Sequence, residues 1–410
     1  MDRPVSLLAG APDHHPDFSY FTDQELSFAQ AFHRSMPQYE ETPLVSLRGL
    51  AQRLGVKNIF VKDESKRFGL NAFKGLGASF AIARLLWEDL GYTGAPDYAV
   101  LTTPEARERA RDRIFVTATD GNHGKSVAWA ASVFGCRARV YMPKGSKESR
   151  VQAIRAINDT PVEVTELNYD DAVRLAAKWA KENGQTLVQD TGTAEYAKIP
   201  RDIALGYTTM ASEALEQMRV QGEAAPTHVF LQAGVGSMAG GVLAYLEQKL
   251  TANPPYTVIV EPDTVACIFE SVKTGGGNPV AIGGNPETIM AGLNCGEPNP
   301  LTWPVLRDFA SCYAACPDWV TELGMRTLAY PHNGDGKVIS GESGAVGLGL
   351  LVHLCLAPEM HAERQRMGLD ENATVLLFST EGNTDPEAYR RIVELSLIHI
   401  SEPTRHSLLS

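Results

Sequence analysis

The chain has 410 residues, 44% hydrophobic and 21% charged, with a formal net charge of −12. This size and composition predict a globular protein of two domains. The acidic balance argues against binding of nucleic acid, and the lack of an 18-residue apolar run argues against a membrane span. The N-terminus lacks the apolar stretch of a signal peptide, and the six cysteines form no CxxC pair. We therefore expect a cytoplasmic protein with reduced thiols and no metal site.

Short β-branched runs alternate with helical patterns along the chain. Strands are predicted at residues 58–64, 113–119, 137–143, 161–167, 186–190, 228–234, 257–263 and within 373–383. Helices are predicted at residues 121–135, 147–158, 170–184, 203–220 and 238–249. The alternation predicts an α/β fold with parallel sheets flanked by helices, and ligands bound beyond the carboxyl ends of the strands.

The order of these elements also predicts the domains. Residues 84–196 hold their own strand–helix series, which indicates a small α/β domain inserted into a large one formed by residues 1–83 and 197–394. The last residues, 395–410, contain LSLIHISEPTR, which matches a translated sequencing adapter. We expect this tail to be an artefact without function.

One lysine has unusual neighbours. Lys74 lies in NAFKGLGASF, with no charged residue among the five positions that follow it. This stretch alone leaves open whether Lys74 is a solvated charge near a helix start or a desolvated amine with a low pKa and a chemical role. Gly75 and Gly77 are expected to leave room for a flat ligand beside the start of a helix.

A glycine-rich loop follows the strand predicted at 228–234. Its sequence, GVGSMAGG from Gly234 to Gly241, predicts backbone N–H groups that bind a phosphate at a helix start. The segment also satisfies the dinucleotide fingerprint GxGxxA, with Glu261 as the candidate ribose-binding acid. A nicotinamide dehydrogenase and a simple tight turn without ligand both remain alternatives at this point.

Three further polar loops stand beside predicted helices and strands. TATDGNHGKS (117–126) ends like a nucleotide P-loop, but Thr119 stands where that motif needs glycine, which excludes ATP binding of this type. SGESGAVGLG (340–349) is interpreted equally well as helix packing or as a ligand-lining segment. FSTEGNTD (378–385) places hydroxyl groups at the end of an apolar strand.

Taken in order, these loops resemble the fold-type II pyridoxal-phosphate enzymes, which include threonine and serine dehydratases and tryptophan synthase β. The resemblance covers residues 40–385 and is most specific for the diaminopropionate ammonia-lyases. It is carried by NAFKGLGAS, TATDGNHGKSVAW, VQDT with KIPRDIALGY, GVGSMAGG and MAGLNCGEPN. Asp120 stands just before GNHG, where hydroxyamino-acid dehydratases usually have serine or alanine. The residues after VQDT depart from the family pattern, because this chain lacks the aromatic residue expected directly after QDT. The local substrate contacts are therefore not assigned.

The resemblance implies a fold, a cofactor and the residues that bind it. The fold would be two open, twisted, mostly parallel sheets with pyridoxal phosphate between a large and a small domain. Lys74 would form the Schiff base with the cofactor, Asn122 would meet its ring hydroxyl, and Ser379 or the neighbouring Thr380 its pyridine nitrogen. The other expected cofactor-binding residues are Phe73, Gly234, Val235, Gly236, Ser237 and Met238.

It also implies an activity, namely elimination of ammonia from D- and L-2,3-diaminopropionate to give pyruvate and two ammonia, in a homodimer engaged in amino-acid catabolism. Lys74 would be the base for the L isomer and Asp120 for the D isomer, while Asp190 would bind or protonate the leaving amine. By residue chemistry alone, Asp120 is more simply a turn former and Asp190 a capping carboxylate. His123 is interpreted as a residue that fixes its loop.

Other functions compete with this one. A serine or threonine dehydratase of the same fold is the nearest alternative, and Asp120 is the residue that discriminates. The interpretation as a dehydrogenase rests on the GVGSMA segment alone and assigns no role to Lys74 or Asp120. A cofactor-binding protein without catalysis would turn over no amino acid.

Overall fold

The computed structural model describes residues 3–12, 20–119, 121–193, 195–284 and 286–395. Its strands are β1 Ser6–Ala9, β2 Leu44–Ser46, β3 Asn58–Asp63, β4 Ile114–Ala118, β5 Arg137–Met142, β6 Val162–Val164, β7 Thr186–Leu187, β8 His228–Gln232, β9 Tyr256–Pro262, β10 Cys312–Cys316 and β11 Thr374–Ser379. Its helices are α1 Asp23–Ser35, α2 Arg48–Leu54, α3 Gly75–Asp89, α4 Tyr98–Leu101, α5 Pro104–Ala110, α6 Asn122–Val133, α7 Glu148–Arg155, α8 Tyr169–Glu182, α9 Lys198–Val220, α10 Ser237–Lys249, α11 Cys267–Thr274, α12 Trp303–Phe309, α13 Asp318–Ala329, α14 Glu342–Leu356, α15 His361–Met367 and α16 Pro386–Arg390.

The strands of the described residues form two sheets. The larger has seven strands in the order β1-β10-β9-β8-β11-β3-β2, in which β1 and β2 run antiparallel to their neighbours. The smaller has four strands in the order β6-β5-β4-β7, all parallel. The strands of the smaller sheet fall within residues 114–187, while the limits of the small domain, 84–196, stay a prediction.

Helices cover both faces of the larger sheet, as β8 shows. Val229 and Leu231 belong to the apolar core that includes α3, α9 and α10, whereas Phe230 belongs to the opposite core with α13 and α14. A strand that is buried on both faces favours apolar side chains at successive positions. This explains the continuous apolar run Val229 to Leu231 in the middle of β8.

Several elements differ from the sequence prediction. Helix α9 begins at Lys198, five residues before the predicted Ile203, because a proline in the first turn (Pro200) removes only an N–H that has no helical partner. Cys312 and Cys316, whose spacing would let them share one face of a helix, lie instead on β10, and both are buried. Strand β7 is shorter than the predicted strand 186–190.

The parallel strands bring the polar loops to one place. The loops after β8 and β11 in the larger sheet face those after β4 and β7 in the smaller sheet, and the start of α3 lies between them. This is the edge at which parallel sheets bind ligands. Among the described residues no single helix is long and apolar enough to cross a membrane, although α14 and Pro358–Met367 would pass the length and composition test as a bent pair.

Candidate active site

A cavity with an empty volume of about 560 Å³ lies where these loops converge. Its wall combines the start of α3, the glycine loop before α10, and single polar residues from other loops. The lining residues are Phe73, Lys74, Asn122, Asp190, Tyr207, Gln232, Ala233, Gly234, Val235, Gly236, Ser237, Met238, Ala239, Gly292, Leu293, Cys295, Ser343, Thr380 and Glu381. Most of the predicted site residues are therefore in one cavity.

Lys74 lies at the N-terminal end of α3 with its amine in this cavity. The Nζ atom donates to Oδ2 of Asp190 at 2.6 Å, and the lysine side chain is 15% exposed. The glycines that follow serve packing rather than ligand space, contrary to the sequence interpretation. A Cβ on Gly77 would stand 2.6 Å from Cε1 of Tyr207 on α9, and one on Gly75 would contact Phe68 and Leu70.

Asp190 is the carboxylate that forms an ion pair with Lys74. Burial by itself would raise the pKa of its carboxyl group, but the charges of Lys74 and His123 and the Lys74 hydrogen bond outweigh burial and hold the pKa at about 2. The carboxylate is thus ionised throughout the physiological range.

A small network holds the Asp190 loop against the glycine loop. The hydroxyl of Ser237 donates to the backbone carbonyl of Asp190 at 2.5 Å, and Nδ2 of Asn299 reaches both that carbonyl, at 3.3 Å, and the Ser237 oxygen, at 2.7 Å. The backbone N–H of Asn299 also donates to the carbonyl of Val235 at 2.6 Å. Asn299 belongs to the MAGLNCGEPN motif, but no feature of the motif indicates this role.

His123 lies behind Asp190. Its Nε2 is 2.9 Å from the carbonyl of Val188, and its Nδ1 is 4.0 Å from Asp190 Oδ2. Burial lowers the pKa of the imidazole, although the Asp190 charge opposes this effect. These contacts agree with a loop-fixing histidine, and its role stays a prediction.

Thr380 and Ser379 take different positions after β11. Thr380 lies on the cavity wall, where its Oγ1 accepts from Nε2 of Gln232 at 2.9 Å. Since that bond occupies an acceptor site, the Thr380 proton is left for an acceptor in the cavity. Ser379 is 1% exposed, with its Oγ 3.5 Å from the carbonyl of Glu381, and it does not line the cavity. The geometry therefore favours Thr380 over Ser379 for contact with a ligand.

The glycine loop ends in an open helix terminus. Gly236 has φ +91°, a left-handed conformation that glycine adopts without strain, and it precedes α10 without a side-chain cap. The first N–H groups of a helix have no partner in the helix, so those of Ser237, Met238 and Ala239 suit an anionic group in the cavity. Among the described residues the buried Tyr207 hydroxyl likewise lacks a hydrogen-bond partner, on the wall of the same cavity.

Glu261 does not have the position that a ribose-binding acid needs. It is fully buried, and its carboxylate accepts from the backbone N–H groups of Ile268 and Phe269 at 2.8 and 2.7 Å. Glu261 thus caps α11, and burial raises the pKa of its carboxyl group to about 8. Without a ribose-binding acid, the dinucleotide interpretation of GVGSMA loses its second component.

Comparison with known proteins decides the family. Residues 36–376 match the family model described as pyridoxal-phosphate dependent enzyme. The chain belongs to the pyridoxal-phosphate-dependent enzymes. This membership confirms the predicted cofactor, and the dehydrogenase alternative is wrong.

Individual members of the family sharpen this result. The chain is 48% identical to the diaminopropionate ammonia-lyase of Salmonella typhimurium over 365 residues, which is 88% of this chain and 90% of the relative. The crystal structure of selenomethionine-labelled holo diaminopropionate ammonia-lyase from Escherichia coli superposes with a TM-score of 0.89 at 44% identity, covering 97% of this chain and 98% of that one. A probable D-serine dehydratase of Chromobacterium violaceum is 26% identical, over 85% of this chain and 80% of the relative. The predicted fold class and family resemblance are thereby confirmed.

The cavity residues fit pyridoxal phosphate by their chemistry. An amine, an uncapped helix terminus for a phosphate, and a buried hydroxyl with a proton to donate are what this cofactor requires. Asp120 lies outside the described residues, as does the tail 396–410. Within the described residues no group of three or more His, Cys, Asp or Glu side chains is placed to hold a metal ion.

The cavity also contains residues that the sequence analysis did not assign. Gln232, Ser343 and Glu381 line it, and Tyr207 packs against Phe73 with ring centroids 4.7 Å apart. Glu381 stands within FSTEGNTD, directly after the two hydroxyl residues, but a lone glutamate there carries no recognisable signal. Ser343 lies in SGESGAVGLG, so this segment both lines the cavity and packs: a Cβ on Gly349 would stand 1.8 Å from the carbonyl of Val320.

A buried glutamate beside the cavity predicts a pH dependence of stability. Burial and the nearby Glu381 and Asp385 charges raise the pKa of Glu342 from 4.5 to about 7, although Arg150 opposes them. Because the folded state binds this proton more tightly than the unfolded state, stability is lost as the pH rises from 4.5 to 7. Relative to the native chain, the free energy of unfolding of Glu342→Gln should therefore rise by up to about 3 kcal/mol between pH 4.5 and pH 8. Urea unfolding at both pH values measures this gain. The exposed Glu359→Gln is the control, and an equal shift in both variants would contradict the assignment.

Proposed function

We propose that this protein is a diaminopropionate ammonia-lyase, which converts 2,3-diaminopropionate and water into pyruvate and two ammonia. The observation that carries the proposal is the Lys74–Asp190 pair in a cavity bounded by an uncapped, glycine-rich helix start, in a chain so similar to known enzymes of this activity. Bound pyridoxal phosphate supplies an electron sink that makes loss of the α-proton feasible.

The residues that hold the cofactor are proposed from their positions in the cavity. Lys74 attaches it covalently through Nζ, and Asn122 meets its ring hydroxyl. Thr380, rather than Ser379, donates to the pyridine nitrogen; a neutral hydroxyl there disfavours ring protonation and favours elimination over transamination. The remaining contacts come from Phe73 and from the glycine loop: Gly234, Val235, Gly236, Ser237 and Met238.

Three groups act on the substrate in the proposed mechanism. Lys74 removes the α-proton of the L isomer at Nζ, and Asp120 removes that of the D isomer at its carboxylate. Asp190 binds the β-ammonium group through its ionised carboxylate, and this group takes the electron pair of the broken C–N bond and leaves as neutral ammonia. The support for Asp190 is its 2.6 Å contact with Lys74, which places an ionised carboxylate where substrate amines replace the lysine charge.

An assay with purified, cofactor-supplied protein tests the activity. Pyruvate and ammonia are measured with D- and L-diaminopropionate and with D- and L-serine as substrates. We expect diaminopropionate to be turned over with the highest kcat/KM, and two ammonia to form for each pyruvate. Faster turnover of serine would favour the dehydratase instead, and no turnover of any of the four would favour a non-catalytic cofactor-binding protein.

The two-base assignment gives a prediction about stereochemistry. Asp120→Asn should lower kcat on the D isomer by about 100-fold or more, because a general base contributes at least this much, while kcat on the L isomer changes little. Asp112→Asn is the control, because its side chain is 85% exposed. Equal losses on both isomers would contradict a separate base for each.

We also propose that the protein is a cytoplasmic homodimer. The dimer is supported by the family resemblance, and the location by the scattered cysteines, which form no CxxC pair. Light scattering of the purified protein measures the mass; a value near 44.5 kDa, that of one chain, would contradict the dimer.

A further inference from the structure

Glu381 is a cavity residue with an ionisable side chain and no assigned role. It follows β11 by two positions, is 4% exposed, and lines the same cavity as Lys74. Its backbone is fixed on both sides: Ala72 and Glu381 form an antiparallel bridge, and the carbonyl of Glu381 accepts from the N–H of Gly341 at 2.9 Å. The carboxylate thus stands on a rigid segment next to the cofactor lysine.

Both carboxylate oxygens of Glu381 have partners. Oε1 accepts from the backbone N–H of Ser343 at 3.0 Å, in the first turn of α14, whose own N-terminal residue Gly341 supplies no side-chain cap. Oε2 accepts from Nδ2 of Asn122 at 2.6 Å and lies 3.4 Å from the hydroxyl of Thr384.

The bond to Asn122 fixes an amide that otherwise has two orientations. The NH₂ end of Asn122, and not its oxygen, faces Glu381, because Nδ2 is the donor of this bond and the carboxylate oxygen its acceptor. A charge-assisted bond of this length is also among the stronger hydrogen bonds of proteins. The bond joins the start of α6, next to the smaller sheet, to the end of β11 in the larger sheet, across 259 positions of sequence.

We propose that Glu381 is a positioning residue: through its bond to Asn122 it fixes the amide that meets the ring hydroxyl of the cofactor. This inference rests on the proposed contact of Asn122. It does not depend on which amino acid the enzyme consumes. The competing explanation is that Glu381 only caps α14 through Ser343. In that case a substitution of Glu381 would have the same effect on cofactor binding with and without the Asn122 side chain.

A double-mutant cycle on cofactor affinity separates the two explanations. Apoprotein is titrated with pyridoxal phosphate, and the dissociation constant is measured by protein fluorescence for the native chain, Glu381→Gln, Asn122→Ala and the double variant. We expect Glu381→Gln to weaken binding about tenfold. In the Asn122→Ala background it should have no further effect. Both single variants should shift the absorbance maximum of the bound cofactor in the same direction.

The exposed Glu387→Gln on α16 is the matched control and should bind the cofactor as the native chain does. If Glu381→Gln weakens binding by the same factor with and without Asn122, the proposal is overturned and the capping role explains the effect. An unchanged affinity in Glu381→Gln would overturn it as well. Should Glu381→Gln not fold, Glu381→Asp keeps the charge but shortens the reach, and the same cycle is run with it. The readout is cofactor binding, so failure to turn over diaminopropionate would leave the result valid.

Discussion

Lys74→Ala is expected to lower kcat on diaminopropionate by about 10⁴-fold or more and to abolish the absorbance band of covalently bound cofactor. The substitution removes both the amine proposed to attach the cofactor and the proposed base for the L isomer. Absorbance spectra and pyruvate formation in cofactor-supplied protein measure the two effects.

The control for this experiment is Lys66→Ala, because Lys66 is exposed and lies in the same segment that leads to Lys74. It should keep the band and the activity. A Lys74→Ala protein that retains the band of the native chain would show that another amine holds the cofactor, and the central assignment would be wrong.

Asp190→Asn is expected to lower kcat on both isomers by about 100- to 1,000-fold. The amide keeps the size of the carboxylate but removes the charge that pairs with Lys74 at 2.6 Å and that is proposed to bind the leaving amine. Steady-state kinetics with D- and L-diaminopropionate measure the loss, with Asp112→Asn as the exposed control. A kcat within twofold of the native value would exclude a role for Asp190 in binding the leaving amine.

The same substitution has a signature in acid unfolding. In the native chain the pKa of Asp190 is lowered from 3.8 to about 2, so its contribution to stability is present above pH 3.8 and lost as the pH falls through 2. That contribution amounts to roughly 2 kcal/mol. Asp190→Asn should lack this part of the acid dependence, which urea unfolding between pH 2 and 5 measures. An unchanged dependence would mean that the pKa of this carboxyl group is not lowered in the folded protein.

The assignment of the elements could be made largely from the sequence because apolar periodicity reports burial directly. The buried strand β8 and the amphipathic α8 are clear for this reason, and both are found where they were predicted. Strand β10 was missed because CYAAC has no alternation and little β-branching. The short β1 and β2 were missed because runs of three or four residues carry too little pattern to detect.

For the site, the local sequence determined which loops are present, and the tertiary structure decided which residues of these loops contact each other. NAFK, GNHG and GVGSMA are weak signals one by one, but their order along the chain resembles one enzyme family, and through this resemblance Lys74, Asn122 and the glycine loop could be named in advance. The pairing of Lys74 with Asp190 spans 116 positions, and the bond of Asn122 to Glu381 spans 259. No local pattern encodes such distances, because they arise only when parallel strands from two sheets direct their carboxyl ends at one cavity.

Single residues illustrate the same division. The sequence by itself determined that a lysine among small and apolar residues precedes a helix, and that a glycine loop precedes another. Only the tertiary structure decided that Gly77 makes room for Tyr207 rather than for a ligand, that Glu261 caps a helix, and that Thr380 rather than Ser379 faces the cavity. Ser379 and Thr380 are adjacent hydroxyl residues that the sequence does not distinguish, but the direction of each side chain depends on the packing around it.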